Sequence, residues 1–238
     1  MSSTRPSTNG GDKPSGPRSR KGVETRARLV AAAKEIFERD GFLDARISDI
    51  AERAGLSHGS FYHYFESKEE VFREVALEVD EQLTAPMYDV IFDRAFEASP
   101  YERLRTAIRM HLERYRDEAR IMGVIEQVSR IDPEVSAARH ERHLASNSDV
   151  TKAIVALQRQ GLADPRLDPA VAAAALGSIN YRFPEMWLVE GLVECDFDTA
   201  VEQVTLLYVN ALGMDSSEAG AGAPPRATAG AAGTARRA

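Results

Sequence analysis

Between Ile50 and Lys68 the chain reads Ile-Ala-Glu-Arg-Ala-Gly-Leu-Ser-His-Gly-Ser-Phe-Tyr-His-Tyr-Phe-Glu-Ser-Lys. Hydroxyl, imidazole and phenol groups crowd into a few residues there and end on an ammonium. Such groups donate and accept hydrogen bonds and can neutralise an anion; they form no nucleophile–base pair and no phosphate-binding glycine loop. The chemistry they offer is recognition of a polyanion with readable edges.

The elements that must position these groups are short. Ile50, Ala51 and Ala54 recur at helical spacing and give one helix an apolar face. Gly55 supplies a conformation other residues reach only at a cost, so the chain turns there. Ser57 is a good N-cap for the next helix, in which Phe61 and Phe65 point into the core and leave His58, Gly59, Ser60 and His63 on the remaining faces. Two helices joined by a three-residue turn containing glycine form a helix-turn-helix unit, whose second helix can enter the major groove. Ser67 and Glu70 fit an S-x-x-E capping box, so a further helix begins at Lys68.

With these residues in place, the segment from about Thr25 to Phe72 resembles the DNA-binding domain of the TetR family of transcriptional regulators. The resemblance takes in the helix Glu24 to Arg39, the Asp40-Gly41-Phe42 stop, and the run Gly55-Leu56-Ser57 through Ser67-Lys68-Glu69. It implies that Tyr62, Tyr64 and Lys68 hold phosphates, while His58, Gly59, Ser60 and His63 face bases. Arg46 stands where the family usually has a threonine capping the second helix; either Ser48 takes over the cap or Arg46 reaches DNA itself, and both join the phosphate candidates. Plainer roles stand beside these. Tyr64 can be a core aromatic like Phe65, Lys68 an ordinary first-turn lysine, and His58 and His63 exposed polar residues. Histidine is not the commonest base reader, so the operator sequence does not follow from these residues.

The net charge of −7 divides unevenly: residues 1–68 hold 12 Lys or Arg against 9 Asp or Glu, net +3, and the remainder holds 18 against 28, net −10. Phosphate affinity depends on the field within about a Debye length, so an acidic body can carry a basic head. Residues 1–22 are rich in Ser, Pro, Gly, Lys and Arg and read as a disordered basic arm that either follows DNA or is simply solvated. Residues 23–68 form the helix-turn-helix domain, residues 69–214 a helical effector-binding and dimerisation domain, and residues 215–238 a disordered Ala/Gly/Pro/Ser tail.

The long third segment is helical almost throughout, so an all-α protein is expected, with an N-terminal three-helix domain and a C-terminal helical one. Val71, Val75 and Val79 extend the helix begun at Lys68. Ser99-Pro100, Asp132-Pro133 and Asp168-Pro169 are start signals, Pro184 should kink or break its helix at Phe183, and a last helix runs from about Thr199 with Glu202 completing a capping box. The small residues Ala170 to Ala175 and the stripe Val201, Val204, Val209 and Leu212 suit close helix packing. The resemblance implies that these last two long helices pair with their copies in a homodimer; alternatively both stripes face the subunit's own core. Phe92, Phe96, Met110, Tyr115, Met122, Tyr181, Phe183 and Trp187 are candidate effector-pocket residues, of types that also fill ordinary cores.

The resulting expectation is a ligand-responsive regulator. A repressor is released from a near-palindromic double-stranded operator by a small, largely apolar effector. The alternatives are an activator of the same fold or a helical interaction protein without an effector. No cofactor or metal is expected and catalysis is not: His111, His140 and His143 lack a third-ligand pattern, and His140 and His143 read as a solvated face. Cys195 is alone, an inert buried thiol rather than part of a disulfide framework. No long apolar run or leader-like segment occurs, which fits a cytoplasmic protein without a membrane span.

Overall fold

A computed structural model describes residues 20–92 and 98–215. Among these, every regular element is helical: α1 (Arg20–Asp44), α2 (Ile47–Arg53), α3 (His58–Phe61), α4 (Lys68–Phe92), α5 (Pro100–Asp117), α6 (Ala119–Ser129), α7 (Pro133–Arg159), α8 (Pro169–Pro184), a π-helical turn (Glu185–Val189) and α9 (Phe197–Leu212). None of these helices is long and apolar enough to cross a membrane. The expectations for the arm up to Ser19, for Phe96 and for the tail from Ser216 fall outside the described residues.

The chain forms two compact units. The first takes the described residues up to Val79 together with Val124–Ala138; the second takes Asp80–Gly123 and the described residues from Arg139 onward. The boundary expected at residue 68 therefore lies further along α4. The reason is aromatic packing: Phe72 meets Phe37 at 5.0 Å and Phe42 at 4.9 Å, both edge-on, and Val71 and Val75 are buried with it. Burying each such side chain contributes about 1.5–3 kcal/mol, enough to hold the first turns of α4 in the head's core.

In the first unit, Leu29, Ile36 and Phe37 of α1 pack with Ile50, Ala51, Phe61 and Phe65, all buried. α1 keeps regular helical geometry only as far as Gly41, whose φ of 75° and ψ of 174° kink the chain, in line with the expected stop. Arg26 lies 4.5 Å over the Phe65 ring and pairs with Glu74, and Arg73 pairs with Glu134.

The second unit is built on α5, α8 and α9. Ile108 and Leu112 of α5, Ala173 and Leu176 of α8, and Val201, Val204, Tyr208 and Leu212 of α9 form one buried cluster. Arg105 and Arg109 of α5 reach Glu202 at 2.5 Å and Asp198 at 2.6 Å, tying the two helices along their polar side. Val201, Val204, Val209 and Leu212 are thus buried within the subunit, the second of the two alternatives the sequence left open. The residues α8 and α9 leave exposed are others, among them Val171 and Leu207.

Local signals account for most helix ends. Asp132 and Asp168 accept the first free amides of α7 and α8, and Ser99 caps α5 through Glu102 N at 3.2 Å. The last helix departs from expectation. Asp196, not Thr199, is its cap, accepting Thr199 N at 2.8 Å, and Glu202 is spent on Arg105 instead of a capping box. Pro184 does not end α8 at Phe183. The helix extends one residue further, to Pro184, and then widens into the π-helical turn, where Glu190 N bonds Glu185 O at 2.9 Å; Pro184 has no N–H to donate to the preceding turn, which interrupts the α-helical bonding there.

Candidate DNA interface and effector cavity

The recognition element begins with the end of α2. Gly55, at φ 68°, lets Leu56 N reach Ala51 O at 2.8 Å while Gly55 N bonds Glu52 O at 2.9 Å, the paired bonds of a Schellman stop. Arg28 Nη2 donates to Ala54 O at 3.0 Å and braces this turn from α1. Ser57 then caps α3, accepting Ser60 N at 3.3 Å, as the sequence predicts. Phe61 and Phe65 anchor the segment, fully buried and 5.6 Å apart.

That anchoring leaves His58, Gly59 and His63 exposed. Tyr62 is 49% exposed although aromatic, with the His58 ring against its edge at 5.3 Å. Ser60 is half-buried and shares a 2.7 Å hydrogen bond with Ser57, so its hydroxyl is partly engaged in the cap. Tyr64 is half-buried, between its two expected roles. At the start of α2, Arg46 occupies the N-cap position without a side-chain cap, and Ser48 Oγ bonds the Asp49 carboxylate at 3.0 Å. Ser48 therefore does not take over the missing cap, while Arg46 remains exposed.

Lys68 is placed differently from the expectation. Its Nζ donates to Phe42 O at 2.7 Å, Leu43 O at 3.1 Å and Ala45 O at 3.1 Å, and lies 4.7 Å over the Phe42 ring. An ammonium has three donors, and here all three are used. In this structure Lys68 closes the carbonyl end of α1. Its helix is capped as predicted at Ser67, which accepts Glu70 N at 3.1 Å; the Glu70 carboxylate returns to Glu66 N at 2.5 Å.

The second unit holds a partly open cavity of about 940 Å³ lined by residues of α4, α5, α7, α8 and α9, within the range that accepts a drug-sized ligand. Of the candidates named from sequence, Tyr181 lines it. Met110, Tyr115, Met122, Phe183 and Trp187 do not. Tyr115 and Met122 are fully buried in packing, and Phe183 stacks on Trp187, which itself meets Phe197 at 5.9 Å. Aromatic and methionine content marked the core here; the cavity wall is mostly aliphatic, including Ile91, Leu104, Ile108, Val150, Leu157 and Leu176. Phe92 falls at the end of α4, and its side chain is outside what the structure describes.

His111 lines this cavity at 2% exposure. Its Nε2 lies 2.9 Å from Asn180 O and its Nδ1 3.4 Å from Leu83 O. The shorter contact takes the ring proton of a neutral imidazole, and burial pushes the ring's pKa below its usual value, outweighing the two carbonyls that raise it. Three lining groups missed from sequence are Asn147, Gly177 and Asn180. The available signal was Gly177, a glycine inside a helix, which costs about 1 kcal/mol relative to alanine and asks for a reason. The reason is contact: a Cβ there would stand 2.7 Å from Asn147 Oδ1.

The other titratable candidates are not gathered. His140 is exposed, and His143, expected on a solvated face, is half-buried with its ring 3.9 Å from that of Tyr181. No group of three or more His, Cys, Asp or Glu is placed to hold a metal among the described residues. Cys195 is half-buried beside the α5–α9 core, and burial raises its thiol pKa, so it is protonated at neutral pH.

Comparison with known proteins agrees with this architecture. Residues 29–75 match the family model described as bacterial regulatory proteins, tetR family. The chain is 27% identical over 193 residues to the uncharacterised HTH-type transcriptional regulator YdgC of Bacillus subtilis strain 168, covering 81% of this chain and 95% of that protein. It is 26% identical over 157 residues to the HTH-type transcriptional regulator UidR of Escherichia coli K12, covering 66% and 78%. A crystal structure described as a TetR-family transcriptional regulator from Mesorhizobium loti superposes with a TM-score of 0.69 at 18% identity, over 82% of this chain and 98% of that one. The helix-turn-helix geometry, the family match over residues 29–75 and the fold shared over 82% of the chain together support a TetR-family DNA-binding transcriptional regulator.

Proposed function

We propose that the protein is a homodimeric repressor that releases a near-palindromic operator when a small, largely apolar molecule occupies the cavity of its second unit. The observation that carries this reading is the coexistence of an exposed recognition surface, His58, Gly59, Tyr62 and His63, with a largely apolar cavity in the same chain. A four-residue α3 reads too few bases alone; a twofold pair reads two half-sites in successive turns of the duplex. Tyr62, Tyr64 and Arg46 supply the phosphate contacts, and His58, Gly59, Ser60 and His63 approach the bases.

The dimer forms through the faces of α8 and α9 that their own core leaves open, including Val171 at 68% and Leu207 at 55% exposure. Ligand binding favours one conformation of the chain by its difference in affinity between two states, and only that difference shifts the operator equilibrium. Residues of α4, α6 and α7 belong to both units, so these helices are the covalent routes by which the shift is carried. Electrophoretic mobility of DNA upstream of the encoding gene tests the switch. A retarded complex that dissolves on adding an apolar ligand supports it, whereas a complex indifferent to a ligand known to be bound contradicts it.

A further inference from the structure

The cavity's polar wall is unevenly committed. Thr84 Oγ1 donates to Asp80 O at 2.9 Å, Tyr208 OH to Leu176 O at 2.7 Å, and His111 to Asn180 O, so these groups are satisfied by helix carbonyls. Lys152 is paired with Asp149 at 2.7 Å on the solvent side, and Arg103 Nε donates to Ala98 O at 3.2 Å in the first turns of α5. Of the three carboxamides in the wall, Gln160 is exposed, whereas Asn147 and Asn180 are half-buried. The amide nitrogen of Asn180 has only the Met87 thioether at 4.0 Å, a weak acceptor, as its partner among the described residues. Asn147, across from it on α7, is admitted by the missing side chain of Gly177, one helical turn before Asn180 on α8. Both line the cavity.

We infer that the ligand of this cavity is an uncharged amphiphile, an apolar body bearing an amide, carbonyl or hydroxyl head group that hydrogen-bonds to the carboxamides of Asn147 and Asn180. The inference rests on the cavity being the effector site. A carboxamide both donates and accepts, so it serves any of these head groups. A carboxylate would lose its hydration among aliphatic side chains, since His111 is neutral, Lys152 is paired with Asp149 and Arg103 is bonded back to Ala98 O.

The test uses the full chain loaded with the apolar fluorophore N-phenyl-1-naphthylamine, displaced at neutral pH by decanol, decanamide and decanoate. Decanol and decanamide are expected to displace it at concentrations at least tenfold below decanoate. Gly177→Ala, which turns the Asn147 carboxamide aside while favouring the helix, and Asn180→Leu should each weaken decanamide by roughly three- to tenfold relative to decanol, with every displacement corrected for the variant's own affinity for the fluorophore. Decanoate binding as tightly as the neutral pair would overturn the inference and assign the head group to Arg103. So would a preference for decanamide that survives both substitutions, because it would then owe nothing to the carboxamides. Failure of the wild-type protein to take up the fluorophore is a separate result: it removes the cavity as an effector site altogether.

Discussion

Replacing Lys68 separates two roles that the sequence leaves entangled. In the structure its ammonium closes the end of α1 through three carbonyl oxygens at 2.7, 3.1 and 3.1 Å and covers the Phe42 ring. Hydrogen bonds to a charged donor contribute about 1.5–3 kcal/mol each when sheltered, but these carbonyls are only partly buried and water replaces much of what is lost. The cation–π contact adds about 0.5–1 kcal/mol at such a site. Lys68→Met keeps the apolar stem and removes the charge, so the expected loss is about 1–3 kcal/mol of stability in the first unit. Urea unfolding followed by far-ultraviolet circular dichroism measures it. Operator affinity measured at several salt concentrations completes the assay. Because the ammonium faces protein, the salt slope should match that of the wild type. A variant of unchanged stability whose slope falls by about one phosphate contact would refute the reasoning and return Lys68 to the DNA backbone.

Other outcomes follow from the same geometry. Tyr62→Phe should lower affinity for specific and nonspecific DNA alike without lowering the melting temperature, as binding and thermal unfolding run side by side would register. Val171→Arg combined with Leu207→Glu should give a monomer by sedimentation; a persistent dimer would place the interface elsewhere. Asp196→Ala removes the cap of α9 and should cost about 1 kcal/mol in thermal unfolding. For His111, burial depresses the folded pKa, so below about 6.5 the unfolded state binds the proton the folded state refuses. Stability should therefore be complete above that pH and fall as the solution is acidified through it. His111→Gln should flatten this part of the melting-temperature profile, and an identical profile would remove His111 as the cause.

How much the sequence disclosed depended on whether a signal was local. The helix-turn-helix was legible because Gly55, Ser57, Phe61, Phe65 and Ser67 each act within a few residues, through a left-handed turn, caps and a four-residue aromatic spacing. The contacts of Lys68 were not legible because its partners, Phe42, Leu43 and Ala45, lie over twenty residues away and offer only backbone oxygens, which carry no side-chain signature. The stripe on α9 has a helical period whether it faces its own core or a partner, so periodicity could not tell Val204 from Leu207. The cavity was hidden for a similar reason. Aromatic residues such as Tyr115 and Trp187 pack tightly, while the wall of the void is mostly aliphatic and includes two asparagines that come together only across α7 and α8.

The central claim is that α3 and its flanks read duplex DNA as a twofold pair. Selection of bound sequences from random double-stranded DNA by the purified chain addresses this most directly. Enrichment is expected of a near-palindrome whose half-sites lie about one helical turn, or a whole number of turns, apart, with loss of that enrichment in a variant carrying His58→Ala, Tyr62→Phe and His63→Ala. Recovery of no common sequence at low ionic strength, or of one that the triple variant selects equally well, would contradict it.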